Sequence, residues 1–131
     1  MKTVSLANIL AAGKAGAIEL NQLERLAFES GMRVPDILDA LAACVAREYS
    51  QSKMSFEDAD TIMNAAFSVS TSPEFWAAYE RTIPSAMYEV YLAFDAGEFH
   101  RPSDSEGTDP EVKYTKPLIS KFLAAREKGA A

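Results

Sequence analysis

The chain contains one cysteine and one histidine, and these two scarcities limit its chemistry. Its 131 residues are the usual size of one domain, and we expect a single domain spanning residues 1–131. Cys44 has no second cysteine with which to form an internal disulfide, which fits a reducing compartment and our expectation of a cytoplasmic protein. His100 alone cannot supply both members of a two-histidine metal site.

Long apolar runs are also missing. No stretch approaches the roughly 18 apolar residues of a membrane-spanning helix, so we expect no membrane association. Lys2, the mildly apolar stretch after it and the Ala15-Gly16-Ala17 segment loosely imitate a cleaved signal peptide. Because Ser5, Asn8 and Lys14 interrupt the apolar region, a short first helix is the preferred interpretation.

The chain also has few positively charged residues relative to its acidic residues. The 19 acidic residues outnumber the 13 lysines and arginines, which gives a net charge of −6 and no basic cluster. A nucleic-acid backbone or an anionic membrane would be repelled on average. A basic protein would be attracted, so we expect a protein partner that is itself basic.

Helical periodicity dominates what is present. Apolar residues such as Leu38, Leu41, Val45 and Tyr49 recur at steps of three and four, after Pro35 in the first turn. No segment shows the alternation of a convincing strand. The pattern predicts an all-α compact bundle of about six or seven short helices, with boundaries at Gly31, Ser55, Ser72, Pro84 and Gly97.

A segment rich in proline, glycine and acidic residues interrupts this pattern. We predict an acidic loop over about 98–116 and a last helix over about 117–127, beginning at Pro117. Asp104 to Asp109 superficially suggests a calcium loop. Its glycine is fourth rather than sixth, so we expect neither a metal nor another cofactor.

Aromatic residues are concentrated just before this loop. Seven of the thirteen aromatic residues fall between positions 75 and 99. Core packing accounts for most of them. Trp76 and Tyr88 are candidate anchors for a partner, because tryptophan and tyrosine are enriched in binding hot spots.

Negative charge accompanies the aromatic residues. Six carboxylates and one arginine, Arg101, lie between positions 95 and 111. Such a run is ordinarily a solvated surface, but it also suits the electrostatic steering of a basic protein. The six candidate partner-binding acids are Asp95, Glu98, Asp104, Glu106, Asp109 and Glu111.

Residues 91–123 carry a family resemblance. The Tyr91–His100 segment, Asp109-Pro110 and the Tyr114–Ile119 segment resemble small bacterial immunity-type proteins, which neutralise polymorphic or contact-dependent toxins. The resemblance covers about a quarter of the chain. It implies an acidic, cytoplasmic, non-catalytic helical protein that binds a toxin domain, and it transfers no defined set of functional residues.

Three classes of function therefore remain. A non-catalytic protein-binding domain, in its most concrete form an immunity-type inhibitor that occludes a basic toxin, is the preferred interpretation. The alternative is a self-associating structural or regulatory module, in which the apolar 84–97 helix forms a homodimer. An enzyme built on carboxylates alone is the third class, but no spacing selects a catalytic pair, so we predict no catalytic residue.

Overall fold

The computed structural model describes residues 6–130, with side chains to residue 126, and most of this range is helical. No residue in it belongs to a β-strand, which confirms the all-α bundle. Residues 1–5, with Lys2 and Ser5 of the signal-like pattern, lie outside the described part. The seven α-helices of that part are α1 (Ala7–Lys14), α2 (Leu20–Ser30), α3 (Val34–Ser50), α4 (Phe56–Ser70), α5 (Pro73–Ala78), α6 (Ser85–Ala96) and α7 (Lys116–Ala130).

Local capping explains where several helices begin and end. The Ser55 hydroxyl accepts a hydrogen bond from the Asp58 backbone N–H at 3.1 Å and begins α4. Ser72 does the same for α5, at 3.2 Å from the Phe75 N–H. Gly31 ends α2 in the left-handed conformation, with φ 74°. The predicted boundaries at these three residues are confirmed.

The central element is α3, which buries nine of its seventeen residues and packs against α2, α4, α6 and α7. α6 follows Pro84 without a capping side chain of its own. Instead, Asp39 of α3 accepts the Met87 backbone N–H at 2.9 Å. This long-range cap fixes the start of α6 against the centre of the bundle.

The predicted boundary of the last helix needs correction. A π-helical turn, Glu111–Thr115, leads directly into α7, so helical structure begins before position 117 and Pro117 lies inside it. The Lys116 N–H donates to the Glu111 carbonyl five residues earlier, and the next residue, Pro117, has no N–H to place. The wider turn accommodates a proline that would disrupt a regular helix.

A close contact joins this π-helical turn to α6. The buried Thr115 hydroxyl donates to the Ala93 carbonyl at 2.7 Å. Gly97 lies so close that an added Cβ would meet Thr115 Oγ1 at 2.1 Å. We call this contact the Gly97–Thr115 joint. It places α7 against α3 and α6, where Ile119 and Phe122 are buried.

Within the described range, no helix is both long enough and apolar enough to cross a bilayer.

Candidate functional site

Three aromatic rings stack where α4 lies beside α6. The Phe67 and Tyr91 rings stack with centroids 4.0 Å apart and an interplanar angle of 8°. The Tyr88 ring is nearly parallel to both, at 5.9 Å from Phe67 and 6.3 Å from Tyr91. Phe67 and Tyr91 are half-buried, whereas 39% of the Tyr88 surface is exposed. Tyr88 is therefore the most exposed ring of this stacked group.

Three carboxyl groups lie near Tyr91, the ring of this group closest to the C-terminal end of α6. α4 and α6 run in opposite directions, since Phe56 meets Phe94 at one end and Phe67 meets Tyr88 at the other. Asp60, two turns before Phe67, consequently reaches the C-terminal end of α6. There it hydrogen-bonds with Glu98 and lies near Asp95.

The environment of Asp60 disfavours its charge. Burial, then the hydrogen bond to Glu98, then the negative charges of Glu98 and Asp95 raise the pKa of Asp60 to about 7. At neutral pH, the Asp60 carboxyl group therefore carries a proton much of the time and donates it to Glu98. No lysine or arginine among the described side chains forms an ion pair with these three groups.

We call this surface the acidic-aromatic face. It consists of the rings of Phe67, Tyr88 and Tyr91 and the carboxyl groups of Asp60, Asp95 and Glu98.

Sequence reasoning found three of the six members, Tyr88, Asp95 and Glu98, and missed the other three. A signal for the missing ones was present. Asp60 and Phe67 are seven residues apart, and Tyr91 is three after Tyr88, so each pair lies on one helical side. What the sequence did not contain was the side-by-side, opposed packing of α4 and α6.

Asp104 does not lie open to a partner as predicted. Its side chain has no exposed surface. It accepts hydrogen bonds from the Arg101 backbone N–H at 2.9 Å, from Lys113 Nζ at 2.5 Å and from the Tyr114 hydroxyl at 2.6 Å. These contacts, the Arg101 N–H first, hold the pKa of Asp104 below its usual range. Asp104 therefore organises the loop.

Arg101 completes this organisation. Its guanidinium donates to the Ala96 carbonyl at 2.5 Å, an acceptor that the end of α6 leaves open, and to the Phe99 carbonyl at 2.9 Å. The same group lies 3.9 Å from the centre of the Tyr114 ring, which is cation–π geometry. The loop from Gly97 to Asp109 is therefore tied at both ends.

The remaining loop acids divide into two kinds. Glu111 is half-buried and accepts a hydrogen bond from the Tyr49 hydroxyl, and burial followed by this bond raises the pKa of Tyr49. Glu106 and Asp109 are exposed. Of the six predicted acids, Glu106 and Asp109 project from the loop, Asp95 and Glu98 belong to the acidic-aromatic face, and the other two are held internally.

Trp76, the second predicted anchor, lies on α5 and is 39% exposed. The ring pairs of the described residues join Tyr88 to Phe67 and Tyr91 and do not include Trp76. The structure therefore does not unite the two predicted anchors in one aromatic group.

The single histidine and the single cysteine have few neighbouring groups that would make them reactive. His100 is exposed, and its Nε2 bonds with the Thr108 carbonyl. Burial chiefly raises the pKa of the half-buried Cys44 thiol, although Arg47 opposes the shift. In the part of the chain that the structure describes, no three histidine, cysteine, aspartate or glutamate side chains are grouped to hold a metal ion.

The geometry thus describes a stack of three rings exposed at Tyr88, carboxyl groups without an ion-pair partner among the described side chains, and a preorganised acidic loop. Comparison with family models, with curated proteins and with solved structures found no match, so the family resemblance of residues 91–123 stays a prediction.

Proposed function

We propose that this chain is a non-catalytic protein-binding domain that receives a basic segment of another protein on its acidic-aromatic face. The observation that carries the proposal is the placement of three carboxyl groups near Tyr91 in a stack of nearly parallel rings, where no described lysine or arginine forms an ion pair with them. Ring faces attract arginine and lysine cations, and carboxylates bind them through charge-assisted hydrogen bonds. A basic side chain between Tyr91 and Asp95, which are four residues apart on α6, would meet a ring and a carboxyl group together.

The acidic loop supports the same partner chemistry. Glu106 and Asp109 are exposed on a loop that Arg101 and Asp104 hold in one conformation. A preorganised loop loses less conformational entropy when a partner binds. Exposed negative charge also accelerates encounter with a basic protein. We therefore assign steering to the loop and retention to the acidic-aromatic face.

The finer proposal is an immunity-type inhibitor acting in the cytoplasm. It rests on the resemblance of residues 91–123 and on the net charge of −6. Inhibition would follow from occlusion: the domain covers a basic surface that the toxin needs for its own substrate. The first partner to test is the product of the adjacent gene.

Two charge-reversed variants with the same net charge test the proposal. We expect Asp95→Lys/Glu98→Lys to weaken binding of the basic partner by about 10- to 100-fold, since close interfacial charges couple strongly. Glu24→Lys/Glu29→Lys on α2 alters two exposed acids elsewhere and is the matched control. Calorimetry at low and high salt should show the difference between the variants shrinking as salt screens the charges.

Two further measurements separate retention from steering. Tyr88→Ala should raise the dissociation rate, because it removes the most exposed ring of the acidic-aromatic face. Glu106→Lys/Asp109→Lys should slow association and leave dissociation nearly unchanged. If the α2 control weakens binding as much as Asp95→Lys/Glu98→Lys, only net charge matters and the proposed surface is wrong.

Self-association is the second candidate function. Leu92 and Phe99, at the C-terminal end of α6, are 42% and 57% exposed. An apolar surface of this kind is compatible with a homodimer. Sedimentation velocity over a wide concentration range decides the matter: a monomer at the highest concentration removes the candidate, and a dimer broken by Leu92→Gln supports it.

A further inference from the structure

A cleft of about 470 Å³ opens between the C-terminal end of α3, the 51–55 connection and the first turns of α7. Small-molecule sites have volumes of roughly 300–1,000 Å³. Its apolar lining includes Ile119, which is buried, and Met54 and Phe56, which are half-buried. Its polar lining includes serine hydroxyls and two lysines. The cleft is therefore amphipathic and of ligand size.

The charge in this cleft differs from that of the whole protein. Lys53 and Lys116 both line it and are exposed, and neither forms an ion pair with a described carboxylate. The one acid in the lining is Glu111, which already accepts the Tyr49 hydroxyl. The lining therefore carries more positive than negative charge in a protein whose net charge is −6.

The positive wall belongs to a connection with a defined backbone. Ser52 adopts a left-handed conformation, with φ 61°, which is uncommon outside glycine. Backbone hydrogen bonds hold it there: the Ser52 N–H donates to the Tyr49 carbonyl at 3.0 Å, and the Lys53 N–H donates to the Glu48 carbonyl at 2.8 Å. The wall bearing Lys53 is therefore built before any ligand arrives.

The start of α4 contributes little to this charge balance. Ser55 already caps the Asp58 N–H, and Glu57 and Asp58 place two acids in the first turn. These acids offset the positive end of the helix dipole. An anion in the cleft would consequently depend on the two lysines.

We propose that this cleft binds a small organic anion consisting of an apolar body and one carboxylate or phosphate group. The apolar body packs against Met54, Phe56 and Ile119, and the anionic group lies between Lys53 and Lys116. Hydroxyls of the exposed Ser50, Ser52 and Ser120 supply further donors at the rim. The site is independent of the acidic-aromatic face.

Four probes with six carbons each test the required chemistry: hexanoate, hexyl phosphate, hexanol and hexylamine. Titrations followed by the protein's amide resonances should show saturable shifts for hexanoate and hexyl phosphate at residues 50–56 and 116–120. Hexanol should bind the same residues more weakly, and hexylamine should not bind there. The tighter anion identifies the preferred head group.

Lysine variants then test the anchor. We expect Lys53→Gln/Lys116→Gln to weaken binding of both anions by about 3- to 30-fold and to leave hexanol unchanged, because exposed pairs contribute modestly. Lys14→Gln/Lys121→Gln, which removes two exposed lysines outside the cleft lining, is the matched control and should behave as the parent. Thermal unfolding checks that both variants remain folded.

A third variant tests the apolar lining. Met54 is half-buried, so Met54→Ser should fold, and it should weaken hexanol and hexanoate alike. Any one of three results would overturn the proposed site. The first is hexylamine binding as tightly as hexanoate, and the second is equal binding of the anions by the two lysine variants. The third result is a set of resonance shifts spread over the whole surface without saturation.

Discussion

Two aspartates show how differently this molecule uses its negative charge. Asp104 meets three hydrogen-bond donors in the loop, which lower its pKa. Asp60 meets Glu98 and Asp95 on the acidic-aromatic face, and burial and these neighbours raise its pKa to about 7. The loop uses its carboxylate for internal structure, whereas the face keeps carboxyl groups crowded together without a cation.

The difference has a functional consequence. A cation arriving at the acidic-aromatic face would relieve the repulsion among Asp60, Asp95 and Glu98, and Asp60 would release its proton. The proposed binding of a basic partner should therefore strengthen as pH rises through about 7. Nothing comparable is expected at Asp104, whose three donors already occupy it.

The largest expected effect comes from breaking the joint between these two regions. Gly97→Ala would place a Cβ 2.1 Å from Thr115 Oγ1, so either the Thr115 side chain must rotate and lose its bond to Ala93 or the π-helical turn and α6 must separate. We expect the free energy of unfolding to fall by about 2–3 kcal/mol, as for an overpacked core position. Urea unfolding measures the loss.

Gly107→Ala is the matched control, because a Cβ there meets no atom within 4 Å. It should change the free energy of unfolding by less than about 0.5 kcal/mol. Adding Thr115→Ala to Gly97→Ala should cost less than the sum of the single losses, since the two residues share one contact. Strict additivity would show that the joint does not constrain Gly97.

A smaller effect, opposite in sign, is expected at the crowded carboxyl groups. The folded-state pKa of Asp60 is raised, so its protonated form favours folding at low pH and stability is lost as pH rises from about 4 towards 7. Asp60→Asn removes the charge while keeping the shape. At pH 8 it should raise the free energy of unfolding by about 1–2 kcal/mol, after allowance for partial exposure.

The gain from Asp60→Asn should shrink when the urea unfolding is repeated at pH 5. Glu89→Gln, an exposed change on α6, should give a small effect of similar size at both pH values. A gain that does not depend on pH would contradict a crowded carboxyl pair at Asp60 and Glu98.

The sequence predicted the helices better than the surfaces between them. Caps at Ser55 and Ser72 act within three residues, so the sequence contains all their determinants. The π-helical turn depends on Thr115 reaching Ala93, 22 positions away, and a local rule about Pro117 could not include that contact.

The candidate site shows the same limit. Tyr88, Asp95 and Glu98 are close along α6, and sequence reasoning found them. Asp60 joins them through the packing of α4 against α6, which helical periodicity does not specify. Charge counting also treated Asp104 as equal to Glu106. In the structure, Lys113 and Tyr114 bond to Asp104, whereas Glu106 is exposed to water.

The smallest and most local effect is expected from Asp104→Asn. The variant should lower the amide-exchange protection of residues 98–110 by about tenfold and leave global unfolding nearly unchanged, because the lost bonds lie within the loop and between the loop and the neighbouring π-helical turn. The pKa of Asp104 is lowered, so its contribution is present above about pH 4 and disappears as pH falls towards the folded-state value. Glu106→Gln neutralises an exposed acid of the same loop and should leave protection unchanged. If both variants lower the protection of the loop equally, Asp104 does not organise the loop. The proposed difference between Asp104 and Asp60 would then be wrong for Asp104.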